Sequence, residues 1–459
     1  MVTKWLDFTD FSLDPKLGLK DYSVIHFKNG IPLKFFLANK CIETDIKSGR
    51  TPSKFNEDYW NGDYDFLTMQ DVNTLTFEVG NVTEKITDYA IEEEKTLYQT
   101  PANSLIISNA MTVGLAFISE NPIYINQNVF HLKINEDSLN KTFIKWYFNL
   151  IFRPNFESVF VSKYFSKDEF GRLRIPKLSI SLQNKIALKI MPIENEIKTL
   201  EHQIKEPSHI INAVFASELK FDLVKYSEAV ASSIFKLNLS DFENSLIRIA
   251  ICYNHPSSSY IREFVSKKNF ERINKYCLTE IHRGKQPEYV EDGIKVIKTG
   301  TIQKGGFNYT EVQYVSEQFY ENNIIKAGIQ KNDLLLTSTG MGRGKFALYE
   351  EDDEAFADSH VTIFRLDNSV INPQFLNYFA QSILGTGQLK YLELQIKGTP
   401  EIYPTQLNEF MIPIVKEKKQ SEIVNKIKAE LDSQKEIEKQ ILNKRNKIKQ
   451  IIEEAISSN

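Results

Sequence analysis

One sequence pattern occurs twice in this chain, and the two copies lie at a nearly constant separation. Asp45–Pro52 and Glu280–Pro287 both read acid-Ile-x-x-Gly-base-x-Pro, with an offset of 235 residues (280 − 45). Much later, Ile175-Pro176 recurs as Ile412-Pro413, with an offset of 237 residues (412 − 175). A local motif cannot keep its spacing over such a long stretch. The repeat therefore predicts two similar domains in tandem, an arrangement that suits a target with two parts.

Length and composition restrict the class of protein further. A chain of 459 residues predicts about two to four domains. The net charge of −4 argues against a general polyanion binder but leaves room for a local basic groove. Three cysteines are too few and too scattered for a disulfide framework or a zinc site. The amino terminus lacks an apolar leader, and no apolar run approaches the roughly 18 residues of a membrane span, so we expect a cytoplasmic protein without membrane contact.

Short apolar segments separated by Gly, Asn and Asp turns predict the same strands in both halves, followed in each half by a helix. The matched pairs are Phe66–Met69 with Val296–Thr299, Leu105–Ser108 with Leu334–Thr337, Val129–Ile134 with Val361–Leu366, and the helix Thr142–Phe152 with Gln374–Ile383. Many short strands with one or two helices are typical of an α+β domain whose sheet is mostly antiparallel.

Each half ends in a long helical pattern, which follows the Ile-Pro pair and a glutamine, Gln183 or Gln420. The apolar residues recur there in steps of three and four, as in a coiled-coil seam. They are Ile186, Ile190, Ile193, Ile197, Leu200, Ile204, Ile211 and Val214 in the first half, and Ile423, Ile427, Leu431, Ile437, Ile441, Ile448 and Ile452 in the second. Such polar helices have too little apolar surface for a globular core, so we expect them to pair with each other. Pro207 should end or kink the first helix.

The residues show no constellation that supports catalysis or metal binding. Asn121–Tyr124 resembles the Asn-Pro-Pro-Tyr loop of adenine N6-methyltransferases, but Ile123 replaces the second proline and no glycine-rich donor-binding turn precedes it. A stand-alone adenine DNA methyltransferase is the alternative function. The histidines are not spaced like metal ligands, and the sequence has no nuclease pattern of two acids followed by a lysine. We therefore predict that the chain is not an enzyme. The acidic run Glu350–Glu354 is interpreted as a solvated hairpin tip.

A second glycine-rich segment, Thr339–Lys345, alternates glycine with other residues and carries two bases. It does not fit a P-loop, because the first glycine of that motif and the Ser or Thr after Lys345 are missing. It is either a tight loop or a loop whose backbone, Arg343 and Lys345 approach phosphates or base edges. The matching loop of the first half, Asn109–Gly114, lacks the bases, so the two domains should read different sequences.

The repeated motif itself has a mechanical interpretation. Gly49 and Gly284 are expected to permit a positive φ, and the following prolines to fix the exit of the turn. Arg50 and Lys285 would lie beside that turn, either in reach of a DNA backbone or as ordinary surface charges.

With these motifs in their repeated order, the chain resembles the specificity (S) subunit of Type I restriction-modification systems. The resemblance covers almost the whole chain and rests on the duplicated motif, on Tyr59–Gly62 with the strand Phe66–Val72, and on the Ile-Pro and Gln before each long helix. It implies an α+β fold of two tandem target recognition domains, each followed by a long helix, with the helices packed as an antiparallel coiled coil. The implied domains are 1–180 (target recognition domain 1), 181–220 (central helical spacer), 221–415 (target recognition domain 2) and 416–457 (C-terminal helical spacer).

The same resemblance implies a non-catalytic subunit that recognises a bipartite double-stranded DNA site, with one domain for each half-site. Two DNA methyltransferase (M) subunits would flank it and carry S-adenosylmethionine, so this chain would bind no cofactor. Restriction (R) subunits would join for cleavage, and the paired helices would set the gap between the half-sites. Type IIB systems use similar subunits, so both classes stay open. A coiled-coil scaffold without a role in DNA binding is a third hypothesis.

The candidate DNA contacts are polar and basic side chains in loops and at strand ends. They are Lys47, Arg50, Thr68, Gln70 and Asn109 in the first half, and His282, Arg283, Lys285, Lys298, Thr299, Thr337, Ser338, Thr339, Arg343 and Lys345 in the second.

Overall fold

The chain divides into two compact units that alternate along the sequence. The computed structural model describes residues 30–110, 112–154, 164–232, 251–340, 342–396 and 399–458. The sequence also predicts mixed strand-like pieces from the amino terminus through Ala38, and those before residue 30 lie outside the described residues. Unit 1 comprises Met1–Ile204 and Lys435–Asn459, and unit 2 comprises Lys205–Gln434. The segments 181–220 and 416–457, interpreted above as spacers, are thus each divided between the two units.

Unit 1 is built from short strands and helices. Its strands are β1 (Ile31–Pro32), β2 (Ile46–Lys47), β3 (Trp60–Phe66), β4 (Val72–Asn73), β5 (Glu78–Val79), β6 (Glu84–Ile86), β7 (Tyr98–Thr100), β8 (Ser104–Ser108), β9 (Ala116–Ser119), β10 (Ile123–Ile125), β11 (Val129–Leu132) and β12 (Arg174–Ile175). Its helices are α1 (Ile42–Asp45), α2 (Asp88–Glu93), α3 (Lys141–Tyr147), α4 (Lys167–Arg172) and α5 (Ile180–Glu201), with 3-10 helices at Leu33–Phe36, Glu57–Tyr59 and Met69–Asp71 and a π-helical turn at Phe148–Phe152.

Two sheets carry the core of unit 1, in the orders β2-β11-β8-β9-β5-β4 and β6-β3-β10-β7. Most neighbouring strands are antiparallel, whereas β3 and β10, and likewise β5 and β9, pair in parallel. Every residue of β8 is buried, which explains why its sequence is a continuous apolar run rather than an alternating one. The helix predicted at Thr142–Phe152 is present as α3 followed by the π-helical turn, and the side chain of Asn140 caps its first turn.

Unit 2 has the same kinds of element. Its strands are β13 (Phe270–Arg272), β14 (His282–Arg283), β15 (Tyr289–Val290), β16 (Ile294–Ile297), β17 (Ile302–Gln303), β18 (Gly306–Phe307), β19 (Gln313–Val315), β20 (Gly328–Ile329), β21 (Leu334–Thr337), β22 (Phe346–Leu348), β23 (Ala355–Ala357), β24 (Val361–Phe364), β25 (Leu394–Ile396), β26 (Thr399–Glu401) and β27 (Met411–Pro413). Its helices are α6 (Pro207–Leu219), α7 (Leu223–Ala231), α8 (Ile251–Asn254), α9 (Pro256–Ser266), α10 (Glu317–Ala327), α11 (Pro373–Gln381), α12 (Ile383–Leu392) and α13 (Pro404–Leu407), with a 3-10 helix at Ile273–Tyr276; α14 (Glu417–Ser457) belongs to both units.

The sequence repeat is a repeat of topology. The order β14-β24-β21-β22 in unit 2 reproduces β2-β11-β8-β9 in unit 1, and β19-β16-β23-β20 reproduces β6-β3-β10-β7. The parallel pair falls at the same place in both second sheets, between β3 and β10 and between β16 and β23. The fold is therefore α+β with two tandem units of one architecture.

The structure also supplies a repeat that the sequence did not reveal. In unit 1, β1 pairs antiparallel with β12 and leads into the 3-10 helix Leu33–Phe36. In unit 2, β13 pairs antiparallel with β27 and leads into the 3-10 helix Ile273–Tyr276. The two segments have the same position in each unit but too little sequence in common to be matched by inspection.

The apolar seam of the long helices is buried in each unit. In unit 1, Ile190 and Ile197 of α5 belong to the same hydrophobic cluster as Ile441 and Ile448 of α14. The side chain of Lys444 forms an ion pair with Glu196 beside this seam. The carboxyl-terminal half of α14 is therefore part of the core of unit 1.

In unit 2, the amino-terminal half of α14 contacts α6 in the same manner. The backbone N–H of Lys205 donates to Gln434 Oε1 at 2.8 Å, and Lys419 Nζ lies 2.8 Å from Glu218 Oε2. Residue numbers rise along one segment while those of the partners fall along the other, so the two segments run in opposite directions. Helix α5 ends at Glu201 before α6 begins with Pro207, as expected for a residue without a backbone N–H.

The hairpin interpretation of the acidic run Glu350–Glu354 is wrong. The strand before the run, β22, pairs with β21, whereas the strand after it, β23, pairs with β16 and β20 in another sheet. The run is thus a connection between two sheets. Two of its acids form ion pairs with one lysine: Lys295 Nζ contacts Glu351 and lies 2.7 Å from Asp353 Oδ2.

Candidate nucleic-acid interface

The glycine of the repeated motif is required for space. A Cβ atom on Gly49 would lie 1.7 Å from the carbonyl oxygen of Ile125, and a Cβ atom on Gly284 would lie 2.0 Å from that of Ala357. Both carbonyls end the strand that pairs in parallel within the second sheet. Neither glycine has a positive φ, so the conformational reason given above is wrong. The motif docks its backbone against a strand end, where only glycine fits.

The base that follows each glycine is exposed on this fixed support. Arg50 is exposed and makes no hydrogen bond or ion pair within the described part of the chain. Lys285 is exposed as well, with its Nζ 2.6 Å from Asn323 Oδ1 and 5.4 Å from the centroid of the Phe319 ring. The two units therefore present one base each, at equivalent positions, on a backbone that cannot shift easily.

The loops after β8 and β21 are equivalent, and each is closed by hydrogen bonds to the residue at the end of its strand. The backbone N–H of Gly114 donates to the carbonyl of Ser108 at 2.9 Å, and that of Gly344 donates to the carbonyl of Thr337 at 2.8 Å. Both glycines have a φ of 83°. The hydroxyl of Thr337 donates to the Gly342 carbonyl at 2.9 Å, so this side chain is occupied within the loop.

Three predicted DNA contacts in these loops are buried. Asn109 donates to the carbonyls of Gln127 and Phe165, and Ser338 shares a hydrogen bond of 2.5 Å with Thr362. Asn109, Thr337 and Ser338 are each 0% exposed. Side chains without solvent exposure cannot touch a base edge unless the loop opens, so we assign these three residues to the support of the loop.

The bases of the second loop are half-buried and paired. Arg343 Nη2 lies 2.7 Å from Glu393 Oε1, and Arg283 Nη1, on strand β14 of the same sheet, lies 2.5 Å from Glu401 Oε1. Lys345 Nζ donates to the Ile302 carbonyl and, at 3.1 Å, to Gln303 Oε1. Neither glutamate was a sequence candidate, because nothing in the sequence connects Glu393 or Glu401 to bases so distant along the chain.

The remaining candidates fall into two groups. Gln70 is exposed beside a cleft of about 1180 Å³ in unit 1, and the side chain of Lys47 is half-buried with its Nζ bonded to the carbonyl of Glu43. The others lie half-buried at the edges of the sheets: Thr68, His282, Lys298, Thr299 and Thr339. The side chain of Thr68 forms a hydrogen bond with Asp71, and that of Lys298 forms one with Gln313. The structure therefore brings Arg283, Thr339, Arg343 and Lys345 together in unit 2, whereas the described residues of unit 1 form no comparable basic group.

The methyltransferase-like segment does not have an exposed aromatic at its end. Tyr124, in the middle of β10, is 9% exposed, and its ring packs edge-on against Tyr64 with centroids 6.1 Å apart. Burial raises the pKa of Tyr124. Asn121 borders the cleft of unit 1, which is lined mainly by polar side chains. Among the residues that the structure describes, no group of three or more His, Cys, Asp or Glu could hold a metal ion.

The two repeated halves match a known family. A family model described as "Type I restriction modification DNA specificity domain" matches twice, over residues 44–207 and 280–447. The two matches together cover well over half of the chain.

The chain belongs to this family. It carries two DNA specificity domains of the Type I restriction-modification kind, in tandem, and is a DNA specificity subunit. No curated protein matches the chain. None of the described helices is both long enough and apolar enough to cross a membrane.

Solved structures of specificity subunits are similar over nearly their whole length. The S subunit from M. genitalium is 14% identical, with a TM-score of 0.35, over 93% of this chain and 96% of that chain. The HsdS subunit from Thermoanaerobacter tengcongensis is 11% identical, with a TM-score of 0.31, over 93% and 95%. A structure described as the basis of complex assembly and conformational transition of the type I R-M system is 11% identical, with a TM-score of 0.39, over 94% and 97%.

Proposed function

We propose that each unit of this specificity subunit contacts one half of a bipartite DNA site. The observation that carries this proposal is the pair of equivalent bases, Arg50 and Lys285, on equivalent glycine-docked motifs. An exposed base on a fixed backbone can hold a phosphate in register without reading the sequence. The side chains around it differ between the units, so the two half-sites would differ in sequence.

The long helices would set the distance between the half-sites. Helix α14 contributes to the cores of both units, and its seam contacts α5 in unit 1 and α6 in unit 2. A helix rises about 1.5 Å per residue, so the length of the paired segments fixes a span along the duplex. We infer that they form an antiparallel coiled coil that acts as a spacer.

The chemistry would come from partner subunits. Two methyltransferase subunits that carry S-adenosylmethionine would dock on this chain, and restriction subunits would join them for cleavage. The chain itself would be non-catalytic, without a bound cofactor, and would work in the cytoplasm. Buried Tyr124 supports this assignment, because the aromatic residue of a catalytic loop must be able to reach a flipped base.

The test is the methylated sequence. Cells that express the chain with its M subunits should carry N6-methyladenine in one bipartite motif, which single-molecule sequencing of their DNA reads directly. Because each base would hold a phosphate, Arg50→Ala and Lys285→Ala should each weaken DNA binding without changing the methylated sequence. Hydroxyl-radical footprinting should show weaker protection of the DNA backbone in one half-site for Arg50→Ala and in the other half-site for Lys285→Ala. Each variant is the matched control for the other. Equal loss of backbone protection at both half-sites in each variant would contradict the model of one unit per half-site.

A further inference from the structure

Two arginines of unit 2 are held by one short hairpin. Arg283 donates through Nη1 to Glu401 and through Nη2 to the Ile402 carbonyl, at 2.5 Å and 2.8 Å. Arg343 donates through Nη2 to Glu393 at 2.7 Å. Glu393 directly precedes β25, and Glu401 is the last residue of β26, the strand that pairs with β25. We call Glu393 together with β25 and β26 the carboxylate hairpin.

Further contacts join the carboxylate hairpin to the loop after β21, which carries Arg343 and Lys345 and is called the basic loop. Thr339 forms an isolated antiparallel bridge with Glu401, and the backbone N–H of Ile402 donates to the Ser338 carbonyl at 3.0 Å. The Tyr403 hydroxyl donates to Glu401 Oε2 at 2.5 Å. This bond and the Arg283 guanidinium lower the pKa of the Glu401 carboxyl, which is therefore charged at neutral pH. The base of the hairpin thus lies directly against the basic loop that begins at β21.

The charges of both arginines are neutralised, although some of their N–H donors have no hydrogen-bond partner among the described residues. Arg283 and Arg343 are 20% and 23% exposed, and the Nε–H group of each is buried without a hydrogen-bond partner in the described part of the chain. A guanidinium has five donors in a planar fork that fits carboxylate and phosphate oxygens equally well. In the free protein, each glutamate therefore has the position that a backbone phosphate of DNA would take on the same arginine.

The described equivalents in unit 1 carry neither the arginines nor the carboxylate that Thr339 bridges. The repeated motif has Ser48 where unit 2 has Arg283, and the loop after β8 has buried Val113 where unit 2 has Arg343. The bridge equivalent to Thr339–Glu401 joins Ala110 to Tyr164, so an aromatic residue takes the place of the carboxylate. The two arginines and Glu401 occur together in unit 2, and the equivalent positions that the structure describes in unit 1 carry neither a base nor an acid.

We propose that the carboxylate hairpin is an internal substitute for the DNA backbone. Its glutamates bind Arg283 and Arg343 in the free protein. When a duplex binds, two phosphates of the DNA replace the glutamates on these arginines. This proposal rests on the proposed function, since it needs unit 2 to bind DNA. Its consequence is selectivity: a duplex that fits poorly gains too little from other contacts to displace the two carboxylates, so non-specific binding by unit 2 is suppressed.

The experiment removes the carboxylate charges and measures binding to DNA of random sequence. Glu393→Gln and Glu401→Gln keep the size and a hydrogen-bonding oxygen but lose the charge. The full chain, with its M subunits, is titrated into a labelled random duplex, and fluorescence anisotropy gives the affinity over a salt series. Each variant should bind about tenfold more tightly, the value of one charge-assisted hydrogen bond. The gain should vanish in an Arg283→Ala, Arg343→Ala background, where no arginine is left to release.

The matched control is Glu409→Gln in the same unit. It removes the same charge from an exposed ion pair, with Arg272 Nη2 2.7 Å from Glu409 Oε2, away from the hairpin. If Glu393→Gln and Glu401→Gln raise the affinity no more than this control, or lower it, the glutamates are structural and the proposal is wrong. Should either variant fail to fold, Tyr403→Phe weakens the hold on Glu401 without a charge change and should give a smaller gain. The proposed function fails separately, if the unaltered complex binds no duplex at any salt concentration.

Discussion

Gln183 Oε1 accepts a hydrogen bond of 2.9 Å from the backbone N–H of Asn140, the residue that caps α3. In unit 2, Gln420 Oε1 accepts the same bond, at 2.8 Å, from Asn372, which caps α11. Each glutamine also donates through Nε2 to the carbonyl of the residue five positions before it, at 3.0 Å. The glutamine that recurs in the first turn of each long helix therefore locks that helix to the cap of another.

Replacing either glutamine should loosen one unit only. Gln183→Leu leaves the Asn140 N–H and two carbonyls without partners, which should cost about 2–3 kcal/mol in the free energy of unfolding. Gln420→Leu should have the same effect in unit 2. Hydrogen-exchange mass spectrometry would show faster exchange in α3 for the first variant and in α11 for the second. Gln203→Leu is the control, since its side chain bonds only on the exposed surface of the helix end. Faster exchange in both units in either variant would argue against the lock.

The motif glycines should tolerate no side chain. Gly49→Ala and Gly284→Ala each place a methyl group within about 2 Å of a strand carbonyl, so the motif must move away from the sheet. We expect losses of roughly 2–4 kcal/mol in unfolding free energy, measured by urea denaturation. Gly300→Ala is the control, because an added Cβ there meets no atom within 4 Å. If the motif variants are as stable as the control, close packing is not the reason why glycine occupies this position in both copies of the motif.

His131 should make unit 1 less stable in weak acid. Burial, together with Lys133 and Lys141, lowers the pKa of His131 to about 4, and its Nδ1 lies 2.8 Å from the Tyr98 hydroxyl. The unfolded chain has a histidine pKa of about 6.5 and takes up the proton first, so stability falls as the pH drops below that value. Between pH 7 and pH 5 the loss should be roughly 2 kcal/mol.

The measurement compares wild-type protein with His131→Gln by hydrogen exchange in β8 and β11. The wild-type strands should lose protection between pH 7 and pH 5 by more than the glutamine variant does, after correction for intrinsic exchange rates. An NMR titration of the imidazole gives the folded-state pKa directly. A value near 6.5 for His131 would contradict the prediction.

A longer spacer should lengthen the recognised gap. Seven residues inserted into α5, together with seven in the facing part of α14, keep the apolar seam and add about 10 Å. The methylated motif should then contain about 3 more base pairs between its half-sites, at ~3.4 Å per pair. The same insertion in α14 alone is the control and should abolish methylation, since the seams no longer match. An unchanged gap in the doubly extended protein would show that the helices do not set the distance.

The sequence predicted the features that depend on regular spacing. The seam from Ile186 to Val214 and the end of the first helix near Pro207 follow from helical periodicity and from the chemistry of proline, and both are present. Strands β8 and β21 could be recognised because they are buried throughout and mainly apolar. The strand predicted at Phe66–Met69 is wrong: β3 is Trp60–Phe66, whose mostly polar sequence gave no such signal. These signals are local, so they survive without knowledge of the fold.

The features that the sequence did not show depend on distant contacts. Arg283 and Glu401 lie 118 residues apart, so their pairing could not be inferred from either segment. Gly49 was correctly singled out but for the wrong reason, because the strand that excludes a side chain lies elsewhere in the chain. Asn109 and Ser338 occupy loops next to strands, and only the structure shows that those loops fold over them.

The division of α14 between the two units has a consequence for biosynthesis. The apolar face formed by Ile190 and Ile197 is covered by Ile441 and Ile448, which leave the ribosome about 250 residues later (441 − 190 = 251). The core of unit 1 therefore stays incomplete until these residues have been synthesised. A nascent chain that stops short of residue 435 would leave this apolar groove exposed, so a premature stop codon before that position should lead to chaperone binding or degradation.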